Sequence, residues 1–443
     1  MQVWKFGGTS VGKPERMKSI RDLVTANDTR KIVVLSALSG TTNALLGFGE
    51  ALTKGDKTLA KNDIAKLKEH YENFISELFS TEQGLAEGNK IIEKEFNFIL
   101  SLLDSNIYTP KHDKKMVAQG EIMSTQLFTA YMKEQGESVV LLPALEFMSI
   151  DSDGEPLFKK IGEKLSAMLK NQSEKVLVTQ GFICRNPRGE VDNLKRGGSD
   201  YTASLIGGAI KAEEIQIWTD IDGMHNNDPR IVKRTFPVRE LLFEEAAELA
   251  YFGAKILHPS TITPAKMGGV PVRLKNTMAP DAPGTLITSK NSTEGSEIKA
   301  IAAKDNITAI YIHSTRMLNA YGFLRKVFEV FEKYKTPVDM ITTSEVSVAV
   351  TIDNSERLEG IRAELTQFAD MEDDDRNQSI ICIVGNFLAD KSGIAIKILE
   401  AVKHIPIRMI SYGASEHNIS LLVDSVHKND ALEALNEGLF QFD

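Results

Sequence analysis

The sequence predicts an α/β protein: a mostly parallel central sheet flanked by helices, followed by two small βαββαβ modules. Three observations predict it. From the N-terminus to about residue 290, short β-branched runs alternate with longer helical patterns, the way parallel strands joined by crossover helices are written. Between residues 50 and 135 strand signals disappear, and charged helix-forming sequence such as Ile64 to Leu78 and Ile91 to Leu103 marks a helical insertion. Beyond residue 298 the chain repeats itself: Gly322 precedes Ser344 and Glu345 as Gly393 precedes Ser415 and Glu416, a shift of 71 (393 − 322).

Candidate strands of the first part lie at 2–6, 31–36, 138–142, 175–179, 214–220 and 270–275, with helices expected over 201–211 and 237–252. The polar stretch Ser289 to Ser296 has no apolar anchor and reads as a linker, so domains are expected over 1–290, 298–375 and 376–443. The strand near 298–304 is available to interleave with the last module. In the first repeat a strand over 307–313 precedes a helix bearing Leu324, Val327, Phe328 and Phe331 at i, i+3, i+4 and i+7, then strands over 337–342 and 346–352. The second carries a strand over 379–384, a helix with Ile394, Ile398, Leu399 and Val402, then strands over 406–412 and 418–423.

Composition sets limits. With 443 residues, 42% hydrophobic and 26% charged, the chain suits several globular cores. No apolar run approaches the roughly 18 residues of a membrane helix, and charge and glycine arrive too early at the N-terminus for a signal peptide. Cys184 and Cys382 sit far apart in apolar contexts, which fits buried thiols and a cytoplasmic location. A net charge of −9 argues against nucleic acid or an anionic membrane as partner, so an anionic substrate must meet locally concentrated Lys and Arg.

The chemistry-bearing segments follow the strands. Val3 and Trp4 deliver Lys5 and Phe6 into Gly7, Gly8, Thr9, Ser10, Val11, Gly12, where bare amides can approach phosphate oxygens, and Pro14 opens the next helix. Gly7, Gly12 and Lys13 approach the P-loop pattern. Pro14 stands where Ser or Thr must be, which excludes a P-loop NTPase and leaves a generic anion-binding turn. A second turn, Lys195, Arg196, Gly197, Gly198, Ser199, Asp200, leads into a helix and suits either an anion site or a plain capped helix. Trp218 to Gly223 ends a strand, where Asp222 and Gly223 suit a turn as well as a nucleotide contact. Glu121, on a mostly apolar helix face, needs a cationic partner, from the protein or from a ligand. His225 and His258 lack metal-ligand spacing.

Taken together, KFGGTSVG from Lys5, LSALSGTTN from Leu35, QGEIMST from Gln119, TQGF from Thr179, RGGSDYTA from Arg196, WTDIDG from Trp218, Asp228 to Arg230 and FGAKILHP from Phe252 resemble the aspartate kinases of the amino-acid kinase family. The C-terminal repeats resemble paired ACT domains, and VDMITTSEVSVAVT from Val338 is most similar to the lysine-sensitive branch. The resemblance implies transfer of the γ-phosphoryl of ATP, with Mg2+, to the side-chain carboxylate of L-aspartate, the first step toward lysine, threonine and methionine. It implies Lys5 as the cation on the transferring oxygens, Gly7, Gly8 and Ser199 as the phosphate cradle, and Asp200 as organiser of the cations. Glu121 would take the substrate ammonium, Arg196 its α-carboxylate, and Ser36, Thr42, Phe182 and Gly197 the same pocket. Thr219, Asp220, His225, Arg230 and Lys255 would face the nucleotide.

For regulation it implies an L-lysine site formed by Met317, Gly322, Leu324, Val338, Asp339, Thr343 and Ser344, with Asp339 toward the effector ammonium; the alternative is that Asp339 merely ends a strand. Sheet edges of the ACT modules suggest a homodimer or homotetramer. Departures from the family pattern are Lys195 and Cys184 in place of Gly, His225 in place of Tyr, and Ala320 in place of Ser. The competing readings are another amino-acid kinase, acting on glutamate or carbamate, and a silent amino-acid sensor. The paired ACT repeats and QGEIMST disfavour the first, and Lys5, Arg196 and Asp200 disfavour the second. The C-terminus at Asp443, soon after the second module, suggests a monofunctional enzyme with no fused homoserine dehydrogenase.

Overall fold

The computed structural model describes residues 1–104, 108–194, 197–254, 258–290, 297–314, 321–372, 374–386, 388 and 391–442. The chain divides into two compact units: Met1–Met224, Arg239–Phe243 and Ile256–Asn291 form the first, and His225–Val238, Glu244–Lys255 and Ser292–Asp443 the second. The first is therefore not the contiguous 1–290 expected, because two of its excursions belong with the C-terminal unit.

The first unit begins with β1 (Gln2–Phe6), the one-turn α1 (Gly8–Val11), α2 (Pro14–Thr25) and β2 (Lys31–Leu35). Val3, Phe6, Ile32, Val33, Val34 and Leu35 are fully buried, as expected of parallel strands covered on both faces. Four helices then form the insertion: α3 (Thr41–Thr53), α4 (Lys57–Leu78), α5 (Glu82–Ser101) and α6 (Pro110–Glu134). Their starts follow capping chemistry. The Asp56 carboxylate accepts the Leu59 N–H at 2.9 Å and the Thr81 hydroxyl accepts the Gly84 N–H at 3.0 Å.

The chain continues through β3 (Val139–Leu141), α7 (Ala144–Phe147), α8 (Phe158–Leu169), β4 (Val176–Gln180), β5 (Ile183–Arg185), β6 (Val191–Asn193), α9 (Gly198–Ile210) and β7 (Ile215–Thr219). It then forms β8 (Glu240–Leu242), α10 (Phe243–Tyr251), α11 (Pro259–Gly268), β9 (Val272–Asn276) and β10 (Thr285–Thr288). The main sheet runs in the order β3-β4-β2-β1-β7-β9-β10-β8, parallel except where β10 meets β9. The helix expected over 237–252 begins only at Phe243, because Glu240–Leu242 pairs with β10 as the edge strand. Periodicity cannot distinguish three residues of edge strand from a helix start, and β5, β6 and β10 were too short to read.

In the second unit β11 (Ile298–His313) is followed by α12 (Phe323–Lys333), β12 (Ile341–Thr343), β13 (Ser347–Ile352), α13 (Leu358–Leu365) and β14 (Asp370–Met371). The second repeat contributes β15 (Asp375–Gly385), α14 (Ile394–Ala401), β16 (Ile407–Tyr412), β17 (Asn418–Asp424) and α15 (Lys428–Leu439). All join one antiparallel sheet, β12-β13-β11-β15-β17-β16, with β14 on β11. The 16-residue β11 pairs with β13 through its second half and with β15 through its first, so one strand serves both repeats. The strand expected over 337–342 spans Ile341–Thr343, and just before it the Asp339 N–H donates to the Thr351 carbonyl at 2.9 Å and the Met340 carbonyl accepts the Thr351 N–H at 3.0 Å. Repeat symmetry is visible at Gly322 and Gly393, which start α12 and α14 with φ of 83° and 85°, a left-handed conformation that glycine adopts without strain.

The segment His225–Val238 is held in this unit by packing. The Asn226 and Asn227 amides donate to Asn436 Oδ1 and to the Leu432 carbonyl of α15, and Val232 is buried in the core with Leu432 and Leu435.

Candidate active site

The carboxyl ends of β1, β2, β4 and β7 form the site. Chain order turns back around β1, whose neighbours β2 and β7 lead to opposite halves of the sheet, and ligands of open α/β sheets bind at such a switch point. Lys5, the fourth residue of β1, is 8% exposed, and its Nζ lies 2.6 Å from Asp200 Oδ1. Asp200 sits in the first turn of α9, whose start is set by Gly197 at φ 85°. Beside it, Ser199 Oγ lies 2.7 Å from Ser36 Oγ at the end of β2. Gly7 and Gly8 keep the turn narrow: a Cβ on Gly7 would lie 3.3 Å from Lys5 Nζ, and one on Gly8 3.1 Å from the Ala37 carbonyl. A buried cation, two glycine turns and a helix N-terminus thus face one point, which is the composition of a phosphoryl-anion site.

Phe182 borders this point with φ 67°, rare for a residue with a Cβ. The Ile183 N–H donates to the Gly181 carbonyl at 2.7 Å around it, the tight γ-turn pattern, and the Phe182 N–H donates to the Thr202 hydroxyl of α9 at 2.9 Å. Such strain survives only where surrounding packing holds it, and it concentrates at functional sites. Gly181 is required by approach: a Cβ there would lie 2.5 Å from Ser199 Cβ and 2.8 Å from Ser199 Cα. Because the obstacle includes backbone, Gly181→Ala is expected to push the start of α9 from Lys5 and lower kcat at least ~10-fold, a 1 Å displacement being enough for more. Steady-state kinetics beside a melting curve checks it.

Glu121 lies within α6, 4% exposed, and its Oε2 has no hydrogen-bond partner in the protein. The Ala37 amide at the end of β2 approaches the carboxyl, but desolvation dominates and pushes it up to about 8. A buried carboxyl without a counter-charge is costly, and an ammonium would relieve it. Thr42 is half-buried in α3, next to the buried Thr41, whose hydroxyl pairs with Tyr71.

At the end of β7, Thr219 and Asp220 join groups that local sequence pattern did not mark. The Thr277 hydroxyl donates to the Thr219 carbonyl at 2.7 Å and lies 3.0 Å from Ser10 Oγ, tying the glycine turn to β7. Lys275 Nζ donates to the Ala282 carbonyl at 2.6 Å and sits 5.5 Å from the Trp218 ring. His225 and Arg230 belong to the second unit: Arg230 forks onto Asp228 at 2.9 and 2.6 Å, lowering the Asp228 carboxyl, and His225 Nδ1 lies 3.0 Å from Thr235 Oγ1. Arg196, Lys195, Lys255, Met317 and Ala320 lie outside the described residues.

The predicted effector region differs in one respect. Gly322 starts α12, Leu324 is half-exposed, Val338 packs on the module core, and Thr343 and Ser344 are exposed. Asp339, however, is not open to a ligand: Oδ1 accepts from Lys304 Nζ at 2.7 Å and from the Tyr251 hydroxyl at 2.6 Å, and the side chain is 1% exposed. Lys304 also bridges to Asp353 at 2.9 Å and lies 4.5 Å from the Tyr251 ring. The sequence could not reveal this, since Lys304 is 35 residues from Asp339 on another strand.

An amino acid kinase family model matches residues 1–276, and an ACT domain model matches residues 381–439. Aspartokinase 3, chloroplastic, of Arabidopsis thaliana is 36% identical over 100% of this chain and 82% of its own. Lysine-sensitive aspartokinase 3 of Escherichia coli (strain K12) is 33% identical over 99% of both. Among solved structures, E. coli aspartokinase III in complex with aspartate and ADP matches with a TM-score of 0.87 at 32% identity, and the complex with lysine and aspartate with 0.80 at 32%, each over 100% of both chains.

Proposed function

Because this chain belongs to the aspartokinase family, we propose that Lys5, Asp200 and the start of α9 carry out the family's reaction here: transfer of the γ-phosphoryl of ATP to the side-chain carboxylate of L-aspartate, giving 4-phospho-L-aspartate and ADP. The observation that carries the assignment is the buried Lys5–Asp200 pair at the N-terminus of α9, where β1, β2 and β4 end. The nucleophile needs no general base, since a carboxyl with an ordinary pKa of about 3.9 is ionised at neutral pH. The obstacle is repulsion between two anions. Lys5 offsets it with a full charge, the amides of Gly7, Gly8 and Ser199 with dipoles, and Asp200 holds the ammonium at one point while the reaction proceeds.

Aspartate binds through Glu121, whose orphaned oxygen suits its α-ammonium, and Arg196 takes its α-carboxylate. Ser36, Thr42, Phe182 and Gly197 shape the walls. The nucleotide lies toward Thr219, Asp220 and Lys275 at the carboxyl ends of β7 and β9. Magnesium would accompany the nucleotide phosphates, where it would neutralise part of their charge.

Lysine is the effector. Its ammonium must compete with Lys304 for Asp339, so binding exchanges one ammonium for another with little net electrostatic cost. A homodimer or homotetramer through the second unit accounts for apolar side chains left on its surface, Leu324 and Phe328 of α12, Ile396 and Leu399 of α14, and Ile341 and Tyr412 of the edge strands. Two buried free thiols support a reducing, cytoplasmic setting, and no helix among the described residues is long and apolar enough to cross a membrane.

A coupled ADP-release assay tests the reading. Aspartate is expected to exceed glutamate by roughly 10²-fold in kcat/KM, homoserine to give no ADP, and millimolar lysine to depress the aspartate rate. Equal turnover of glutamate overturns the substrate assignment, and a rate indifferent to lysine overturns the effector assignment.

A further inference from the structure

We infer that Gln180 is a positioning residue for the aspartate site, clamping the helix that carries Glu121 to the strand end that carries Phe182. Gln180 closes β4, two residues before Phe182, and is 3% exposed. The preceding β4 residues, Val176, Leu177, Val178 and Thr179, are also buried, and packing there requires no amide. Its amide is instead used at both ends. Oε1 accepts the Ala144 N–H at the start of α7 at 2.8 Å, and Nε2 donates to Thr125 Oγ1 at 2.8 Å. The Thr125 hydroxyl, fully buried, passes its own proton to the Glu121 carbonyl on α6 at 2.8 Å.

The chain of bonds fixes its own direction. The Ala144 N–H can only donate, so Oε1 must face it; Nε2 then faces Thr125, whose single proton is left for the helix carbonyls of Glu121 at 2.8 Å and Ile122 at 3.1 Å. The result is that α6, at the residue whose buried carboxyl has an unpartnered oxygen, is registered against the strained turn at Phe182. Loss of the amide orphans the Ala144 N–H, removes the bond that Thr125 Oγ1 accepts and frees α6 to slide along β4, and sub-ångström slides are what misplace a binding carboxylate.

The inference rests on the reading that Glu121 and Phe182 hold aspartate, and its test separates the two. In the full chain, Gln180→Leu and Thr125→Val are each expected to raise KM for aspartate ~10-fold while leaving KM for ATP within about twofold. The double variant should be no worse than either single one, because one relay is being broken twice. Thr125→Ser, which keeps the hydroxyl, should restore the wild-type KM. If Gln180→Leu does not fold, Gln180→Glu takes its place, since a carboxylate at Nε2 reverses the Thr125 proton. An unchanged KM for aspartate, a parallel rise in both KM values, or a fall in kcat alone overturns the clamp. Glu121→Gln run alongside assigns the failure: if it too leaves KM for aspartate unchanged, the reading of the aspartate site has failed, and if it raises KM while Gln180→Leu does not, only the clamp has.

Discussion

Replacing Lys5 by alanine is expected to lower kcat by roughly 10³-fold or more with little change in KM for aspartate, about 4 kcal/mol of transition-state stabilisation lost. The magnitude follows from where the charge sits. Lys5 is 8% exposed, so neither water nor salt replaces its ammonium as negative charge redistributes between ATP and the acceptor carboxylate. Removing one partner of a buried pair also leaves Asp200 uncompensated, a structural penalty that must be separated from the catalytic one. Lys5→Met with Asp200→Asn removes both charges. It is expected to fold with a melting temperature near the parent's and to remain inactive, whereas substantial turnover in that variant removes Lys5 from the mechanism.

The second large effect is a pH dependence of aspartate binding set by Glu121. In the free protein this carboxyl is raised to about 8, so near pH 7 it is mostly protonated. A substrate ammonium pairs with the ionised form, and the proton must leave first. KM for aspartate is therefore expected to rise up to tenfold per unit as pH falls below about 8, while KM for ATP stays flat. The stability trend has the opposite dependence on pH. A group whose folded value is raised holds extra protons in the fold between its unfolded value near 4.5 and about 8, so the ligand-free protein loses stability as pH rises through that window. Glu121→Gln should abolish both trends and raise KM for aspartate roughly 10²-fold at pH 8. Kinetics from about pH 6 to about pH 8, with melting curves at the same points, read both. A KM for aspartate that does not vary across this range contradicts the role of Glu121.

Aspartate selectivity and lysine control bear on different parts of the chain. In the proposed reading the first rests on the parallel sheet's carboxyl edge, and the second on the antiparallel sheet in which β11 serves both repeats. Lys304, on that shared strand, holds the carboxylate expected to face lysine.

Read alone, the amino-acid sequence determined what short-range chemistry can encode. Buried β-branched runs placed the long strands, glycines placed the turns after β1 and before α9, the absence of strand signal placed the helical insertion, and a 71-residue shift marked the repeats (393 − 322). Lys5 at the end of β1 and Ser199 and Asp200 at the start of α9 were legible because each sits where a strand or helix ends. Only the tertiary structure decided their partners. Lys5 meets Asp200 across 195 residues (200 − 5) and Ser36 meets Ser199 across 163, because β1 lies between β2 and β7, an order that no local pattern states. The same holds for Asp339, whose carboxylate goes to Lys304, and for Gln180, whose amide reaches two helices. Periodicity is a property of neighbours along the chain, whereas the pairing of buried polar groups depends on which strands the crossovers bring side by side.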